Sequence, residues 1–394
     1  MELSKRLLNV IEQAIEENDV AGMNLLVEKD GQEICYCEAG MADREKNKPI
    51  ERNTIFRLYS QSKPVTAAGA MILMERGELD LGQAVSDILP AFAQPKYVEN
   101  GVVKPCTRPL RVHDLLQMTS GLAYPDANSA VGRETGIVFE EADRRLYTDN
   151  PMTTVEIANA LAKCPLSFEP GTSWQYGTSA DVLGAVIETV SGMKFGDFLQ
   201  KELFGPLEMT DTAFWVPAQK QNRLASVYET VRDENGKKSL IRYNGNHLAI
   251  RNQMDQPPAF EAGGAGLAST LDDYRNFARM LHNGGEWKGI RILQPETVKY
   301  MTGGQLMLPQ QASFDNWIGL SGYSYGNLMR VCKIPGQSCG IAKEGEYGWD
   351  GWLGCYFANF PEEKLTILFG MQKKDAGTWK LTRKLRNVIL SSLL

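Results

Sequence analysis

A serine and a lysine three residues apart could form a nucleophile and its base. The stretch FRLYSQSKPV, residues 56–65, contains Ser60, Ser62 and Lys63. Proline is tolerated in the first turn of a helix, and an apolar pattern follows Pro64, so a helix is predicted to begin close to Ser60. Side chains three apart share a helix face, which places Ser60 beside Lys63 and points Ser62 elsewhere. Lysine acts as a base only where burial or a nearby cation lowers its pKa.

Histidine is the commoner base for a serine nucleophile, and the chain has three histidines. His113 falls near the start of a predicted helix, His282 falls at the end of another, and His247 lies in a segment without clear periodicity. A structural role is the preferred interpretation for each, and a Ser-His-Asp triad stays open as an alternative.

Two further motifs compete with the Ser60 stretch. GYSYG, residues 322–326, matches the G-x-S-x-G pattern around Ser324, but no helix is predicted after it and no histidine follows. Ser191 and Lys194 repeat the S-x-x-K spacing, yet Ser191-Gly192 is typical of a helix C-terminus. Ser324 is therefore predicted to lie on a strand or turn, and Ser191 to end a helix.

Composition indicates an ordinary globular enzyme or binding protein. The 394 residues are 43% hydrophobic and 23% charged, with a net charge of −6. This acidic balance argues against a nucleic-acid or anionic-membrane surface, and no apolar run is long enough for a membrane span. Seven cysteines without metal-ligand spacing predict reduced thiols in a cytoplasmic protein that needs no metal.

Strand patterns occur at both ends of the chain, and helical patterns fill the middle. The predicted fold is α/β (α+β), with an antiparallel sheet built from both chain ends and flanked by helices. Residues 1–85 and 286–394 form this lobe, residues 86–285 form an inserted, mainly helical lobe, and the active site lies between them. Residues 124–151 lack clear periodicity and predict a loop-rich rim.

Six segments occur in the order found in a known superfamily: FRLYSQSKPVTAAGAMILMERGELDLGQAVSDILP, LRVHDLLQMTSGLAYP, FEPGTSWQYGTSADVLGAVIE, LFGPLEMTDTAFWVP, GGAGLASTLDDYRNFARML and YGWDGWLGCYF. Together they resemble the serine β-lactamase-like superfamily, specifically the class C β-lactamase-related esterases (family VIII carboxylesterases) and related transesterases. The resemblance covers residues 20–375.

The resemblance implies that Ser60 is the nucleophile, Lys63 its lysine partner and Tyr176 the catalytic tyrosine. It also implies an oxyanion hole made by the backbone N–H groups of Ser60 and Trp352. Tyr124 is expected to line the substrate pocket.

Two departures from the penicillin-binding pattern favour an esterase. Tyr176-Gly177-Thr178 stands where many members have Tyr-x-Asn, and Trp349-Asp350-Gly351 stands where they have Lys-Thr-Gly. The cation that would hold a substrate carboxylate is therefore missing, and Trp349 and Gly351 are expected to contact an uncharged substrate.

The predicted function is hydrolysis of a small-molecule carboxylic ester through an acyl-enzyme, without a cofactor. Acyl transfer to an alcohol or amine uses the same groups and is the first alternative, followed by D-Ala peptidase or β-lactamase activity. A non-catalytic ligand-binding or structural module is the least favoured. The sequence leaves the acyl group, the alcohol and the oligomeric state open.

Overall fold

A computed structural model describes residues 2–317, 319–377 and 379–394. Its helices are α1 (Leu3–Glu16), α2 (Lys63–Glu75), α3 (Val112–Leu116), α4 (Ala130–Arg145), α5 (Thr154–Leu161), α6 (Ser179–Ser191), α7 (Phe195–Leu199), α8 (Leu271–His282), α9 (Pro295–Thr302), α10 (Leu308–Phe314) and α11 (Lys380–Leu393). Its strands are β1 (Gly22–Lys29), β2 (Gln32–Asp43), β3 (Lys48–Pro49), β4 (Phe56–Arg57), β5 (Lys96–Glu99), β6 (Val102–Pro105), β7 (Tyr228–Arg232), β8 (Lys238–Arg242), β9 (Ala268–Ser269), β10 (Glu286–Trp287), β11 (Ile290–Arg291), β12 (Tyr323–Tyr325), β13 (Arg330–Cys332), β14 (Tyr347–Asp350), β15 (Tyr356–Phe360) and β16 (Leu365–Met371).

The central sheet has eight antiparallel strands in the order β12-β13-β14-β15-β16-β1-β2-β3. The two ends of the chain meet where β1 pairs with β16, from Met23 opposite Met371 to Lys29 opposite Leu365. The predicted fold class, an antiparallel sheet built from both termini and flanked by helices, is therefore confirmed.

The sheet is covered on both faces. On β16, Ile367 and Phe369 belong to the core beneath α1 and α11, whereas Leu368 belongs to the larger core on the opposite face. α8 packs on that opposite face, where Asn359 Nδ2 of β15 donates a hydrogen bond to the Ala278 carbonyl oxygen at 2.9 Å. Because both faces are buried, β16 is apolar along nearly its whole length instead of alternating.

The segment between β4 and β10 is mainly helical and carries two short hairpins, β5-β6 and β7-β8. The lobe boundaries at residues 85/86 and 285/286 stay a prediction, since α8 lies inside the central segment but packs on the sheet. In the described ranges, no helix combines the length and apolarity needed to cross a bilayer.

The prediction of a loop-rich rim over residues 124–151 is wrong, because α4 occupies most of it. Ser129 caps this helix by accepting a hydrogen bond from the Gly132 N–H at 2.9 Å. Val131, Thr135, Phe139 and Ala142 form its buried stripe. Their spacing of four, four and three residues is helical, but Thr135 among them and the buried Gly132 beside them weaken the apolar pattern.

α2 runs through the middle of the molecule. Every residue from Lys63 to Leu73 is buried, and α6 packs against it. A helix that is apolar on all sides is one that the core surrounds completely. The N-terminus of this helix, with the Ser60 turn before it, is consequently held in one position by the core.

Candidate active site

Ser60 lies in a single 3-10 turn, Tyr59–Ser62, that leads directly into α2. Tyr59 has a φ of 45°, a left-handed conformation that is uncommon for an aromatic residue. Strained residues of this kind cluster at functional sites, where the surrounding structure fixes them. The second serine of the motif points elsewhere, since Ser62 Oγ is buried and accepts a hydrogen bond from the Leu267 N–H at 3.1 Å. Ser60, which is half-buried, is therefore the nucleophile candidate of the pair.

Lys63 is completely buried, and its Nζ contacts three oxygens: the Gly264 carbonyl at 2.8 Å, Tyr124 Oη at 3.0 Å and Ser60 Oγ at 3.2 Å. A carbonyl oxygen can only accept, so one N–H must point at Gly264. A neutral amine has two N–H groups and one lone pair. It can satisfy Gly264 and Tyr124 with its N–H groups and still accept the Ser60 proton.

Burial lowers the pKa of Lys63 from 10.5 to about 7, because a buried ammonium loses its hydration. Asp181, near the start of α6, opposes this effect with its negative charge, and burial in turn raises the pKa of Asp181. The Asp181 Oδ1 accepts a hydrogen bond from the Gly264 N–H at 2.9 Å. Gly264 therefore connects the two groups, with its N–H on Asp181 and its carbonyl oxygen on Lys63.

Tyr176 lies in the loop just before α6 and lines the same cavity as Ser60. Its ring is 4.5 Å from Lys63 Nζ, and burial raises the pKa of its hydroxyl. The neighbouring side chains of Ser60 and Trp349 oppose that rise in the pKa. Tyr176 thus lies in the same cavity as the nucleophile and beside the lysine, where its hydroxyl can pass a proton between them and a leaving group.

The cavity above Ser60 has a volume of about 460 Å³. Tyr124 lines it and also contacts Lys63, so this residue combines the expected pocket position with a contact to the candidate base. The described lining is Tyr59, Ser60, Tyr124, Pro125, Gly136, Phe139, Glu140, Asp143, Tyr176, Asn246, His247, Leu248 and Trp352.

The candidate oxyanion hole uses backbone N–H groups. Within the described residues, the N–H groups of Ser60 and Trp352 donate no hydrogen bond to the protein, which leaves both available to a substrate oxygen. Gly351 sits where a Cβ would come within 2.1 Å of the Leu58 carbonyl oxygen. Glycine at 351 therefore lets the two backbone segments that carry these N–H groups approach each other closely.

Trp349 and Gly351 do not line the cavity, although the sequence predicts that both contact the substrate. Trp349 is 2% exposed and lies behind Tyr176, with its Nε1 donating to the Tyr176 hydroxyl at 3.0 Å. Asp350 is on the opposite face of β14, where its carboxylate is 3.7 Å from Arg330. Trp349 therefore contacts the candidate tyrosine, and Asp350 is not among the residues that line the cavity.

The alternative nucleophiles, Ser324 and Ser191, do not line the cavity, whereas the alternative base, His247, does. Ser324 is buried on β12, where its Oγ accepts a hydrogen bond from the Leu306 N–H at 2.9 Å, and Ser191 ends α6. His247 does line the cavity, stacked on Trp352 at 4.1 Å, and burial lowers its pKa to about 4. It makes no hydrogen bond to Ser60 in the described structure. The geometry around Ser60 thus favours Lys63 over a histidine.

Sequence reasoning did not single out Asp181, Gly264, Glu140 and Asp143, which lie in or beside the candidate site, and it gave the cavity residue His247 a structural role. Asp181 had a recognisable signal, since it is an acid in the first turn of a strongly apolar helix. No cluster of potential metal ligands is present in residues 2–317, 319–377 and 379–394.

The family model described as Beta-lactamase matches residues 7–388. The chain belongs to this family. It is 35% identical to Esterase EstB of Burkholderia gladioli over 287 residues, which are 69% of this chain and 68% of that protein. It is 28% identical to Lovastatin esterase of Penicillium rubens over 320 residues, 78% of this chain and 74% of that one.

Among solved structures, the chain superposes on EstCE1, described as a hydrolase with promiscuous acyltransferase activity, with a TM-score of 0.79. The identity is 25%, and the match covers 98% of both chains. These comparisons establish the fold and the class of enzyme, a serine hydrolase. They assign no roles to individual residues, which are instead inferred from the geometry of the site.

Proposed function

We propose that this protein cleaves carboxylic esters through an acyl-enzyme on Ser60, with Lys63 and Tyr176 moving the proton. The contact between Lys63 Nζ and Ser60 Oγ carries the proposal, because the same amine is fully buried and bonded to Gly264 and Tyr124. Burial supplies the neutral lysine that a serine nucleophile needs.

In the proposed reaction, Ser60 Oγ attacks the ester carbonyl carbon while its proton moves to Lys63 Nζ. The negative charge on the former carbonyl oxygen faces the free N–H groups of Ser60 and Trp352. The C–O bond to the alcohol then breaks, and the alcohol leaves with a proton delivered through Tyr176. Water attacks the acyl-enzyme by the same route in reverse, which releases the acid and restores Ser60.

The substrates we propose are esters without a carboxylate near the scissile bond. In the described lining of the cavity, no lysine or arginine is present to pair with such a group. Two cations near Asp350 in sequence are engaged elsewhere, since Arg330 faces Asp350 and Lys343 lies 3.4 Å from Glu363. A buried carboxylate without a partner costs several kcal/mol, so penicillins and D-Ala-D-Ala peptides are expected to be poor substrates.

Acyl transfer is the second candidate, because EstCE1 is described as having acyltransferase activity and shares the fold over nearly the whole chain. It differs from hydrolysis only in the acceptor that attacks the acyl-enzyme. We also propose a cytoplasmic location, which the seven free thiols support.

The test uses p-nitrophenyl esters of graded chain length, with and without competing alcohols, and identifies the products by mass spectrometry. A fluorophosphonate should label the Ser60 peptide once, and Ser60→Ala should abolish both labelling and turnover. Ser191→Ala is the matched control, because it removes the serine of the other S-x-x-K sequence and should keep most activity. Labelling of a different serine, or turnover by Ser60→Ala, would contradict the proposal.

A further inference from the structure

One face of α4 forms a wall of the cavity that contains Ser60. Gly136, Phe139, Glu140 and Asp143 line it, at positions i, i+3, i+4 and i+7 of the helix. This spacing places the four residues side by side on one face. The wall was not expected from the sequence, and it brings two carboxylates to the same space as the nucleophile.

Among the described residues that line the cavity, Glu140 and Asp143 carry the charge. His247 also lines the cavity, but burial lowers its pKa to about 4, so its imidazole is neutral at pH 7. Lys63 is buried beneath Ser60 and is not part of the wall. A substrate in this cavity therefore meets negative charge without a compensating cation on the wall.

The Asp143 carboxylate is half-buried and has no cation beside it. Its Oδ1 is covered and accepts no hydrogen bond from any described residue, and burial raises its pKa. The neighbouring arginines are engaged elsewhere: the Arg144 guanidinium binds Glu141, and Arg145 Nε donates to the Asn150 carbonyl oxygen. The carboxylate has thus lost part of its hydration without gaining a partner, which a bound cation would provide.

Aromatic rings surround the same space. Tyr59, Phe139 and Trp352 line the cavity together with Asp143. Aromatic faces attract ammonium groups, most strongly when water is excluded, and rings combined with a carboxylate are suited to an onium ion. The Trp352 backbone N–H also belongs to the candidate oxyanion hole, so the aromatic wall lies next to the ester carbonyl.

We propose that Asp143 is a specificity residue that selects esters carrying a cationic ammonium group in either the acyl or the alcohol part. The inference rests on the ester chemistry proposed for Ser60 and adds the class of substrate. Glu140 is exposed at the edge of the wall and contributes less, because solvent and salt screen its charge.

The experiment compares pairs of esters that have the same shape and differ in one charge. Butyrylcholine is compared with 3,3-dimethylbutyl butyrate, in which carbon replaces the nitrogen. A second pair places the cation in the acyl part, using ethyl 4-(trimethylammonio)butyrate and ethyl 5,5-dimethylhexanoate. In at least one pair, we expect kcat/KM to favour the cation by roughly tenfold, as for a partly desolvated ion pair.

Asp143→Asn should bring that ratio close to one, chiefly by lowering kcat/KM for the cationic ester. Glu141→Gln is the matched control, since it removes one negative charge from the same helix outside the cavity and should keep the wild-type ratio. A wild-type ratio at or below one in both pairs would overturn the inference, as would a preference that Asp143→Asn leaves intact.

Binding measurements separate this inference from the proposed function. Calorimetry of the wild-type protein with choline and with 3,3-dimethyl-1-butanol involves no ester bond, and the choline should bind more tightly and lose affinity as salt increases. If none of the four esters is cleaved, the proposed function fails whatever choline does. If esters are cleaved but choline shows no charge-dependent advantage, and neither pair favours the cation, the Asp143 inference fails alone.

Discussion

The pH dependence of ester cleavage tests whether burial makes Lys63 the base. Asp181→Asn is the informative change, because it removes the negative charge that favours the Lys63 ammonium. The asparagine keeps nearly the same shape, and its carbonyl oxygen can still accept the Gly264 N–H. The substitution therefore alters charge while preserving the connection between α6 and the Gly264 segment.

The size of the effect follows from the pKa of Lys63, which burial lowers from 10.5 to about 7. That difference corresponds to roughly 5 kcal/mol, and it raises the neutral fraction at pH 7 about a thousandfold over that of a free lysine. Activity needs the neutral amine, so kcat/KM should rise with pH through a midpoint near 7. Loss of a nearby opposite charge destabilises the ammonium, which should move the midpoint down by roughly one pH unit.

The assay is kcat/KM for p-nitrophenyl butyrate between pH 5 and 9, corrected for spontaneous hydrolysis. Asp181→Ala serves as the matched comparison, because it removes both the charge and the acceptor of the Gly264 N–H. Its midpoint should move as in Asp181→Asn, whereas its plateau should be lower, since the Gly264 segment loses its hydrogen bond.

Three results would refute this reasoning. A midpoint that stays near 7 in Asp181→Asn would show that the carboxylate does not influence the titrating group. A midpoint that moves up would reverse the expected sign. Complete loss of pH dependence would mean that the wild-type profile follows Asp181 itself, whose pKa burial also raises, and that Lys63 is not the group that limits activity.

The remaining predictions concern the other groups of the site. Lys63→Ala, Tyr176→Phe and the double variant should lose similar factors in kcat, because groups that move one proton together are not additive; a double loss equal to the product of the single losses would contradict this. Trp349→Phe removes the N–H that binds the Tyr176 hydroxyl and should lower kcat roughly tenfold with little change in KM, and an unchanged kcat would count against it. Gly351→Ala introduces a Cβ 2.1 Å from the Leu58 carbonyl oxygen and should reduce kcat roughly a hundredfold by displacing the oxyanion N–H; circular dichroism checks that the variant is folded. Aryl butyrates should be cleaved far faster than nitrocefin or a diacyl-Lys-D-Ala-D-Ala peptide, and comparable kcat/KM values would indicate an undetected cation in the site.

The parts of the site that were predictable depend on short-range rules. Ser60 and Lys63 are three residues apart at a helix start, and that spacing alone places them together. Tyr176 is more than a hundred residues away, and only the resemblance to a known superfamily connected it with the pair. In the structure Tyr176 and Ser60 line one cavity, and the Tyr176 ring is 4.5 Å from Lys63 Nζ.

The parts of the site that could not be predicted depend on which side of a strand or helix packs against which neighbouring element. Trp349 and Asp350 are adjacent on β14, so their side chains point to opposite faces of the sheet, and the sequence does not state which face meets the cavity. The tryptophan lies against Tyr176 and the acid lies against Arg330. α4 was missed for a different reason, since Gly132 and Thr135 lie in its buried stripe and weaken the hydrophobic periodicity.

The lysine base that we propose makes catalysis depend on the packing of the core. An imidazole has a pKa near neutrality wherever it is exposed, whereas an ammonium reaches that range only when its hydration is removed. In this protein α2 is buried on all sides, and the Gly264 carbonyl oxygen and the Tyr124 hydroxyl use the two N–H groups of the neutral amine. The lone pair is then left for the proton of Ser60, so the same packing that stabilises the fold also orients the base.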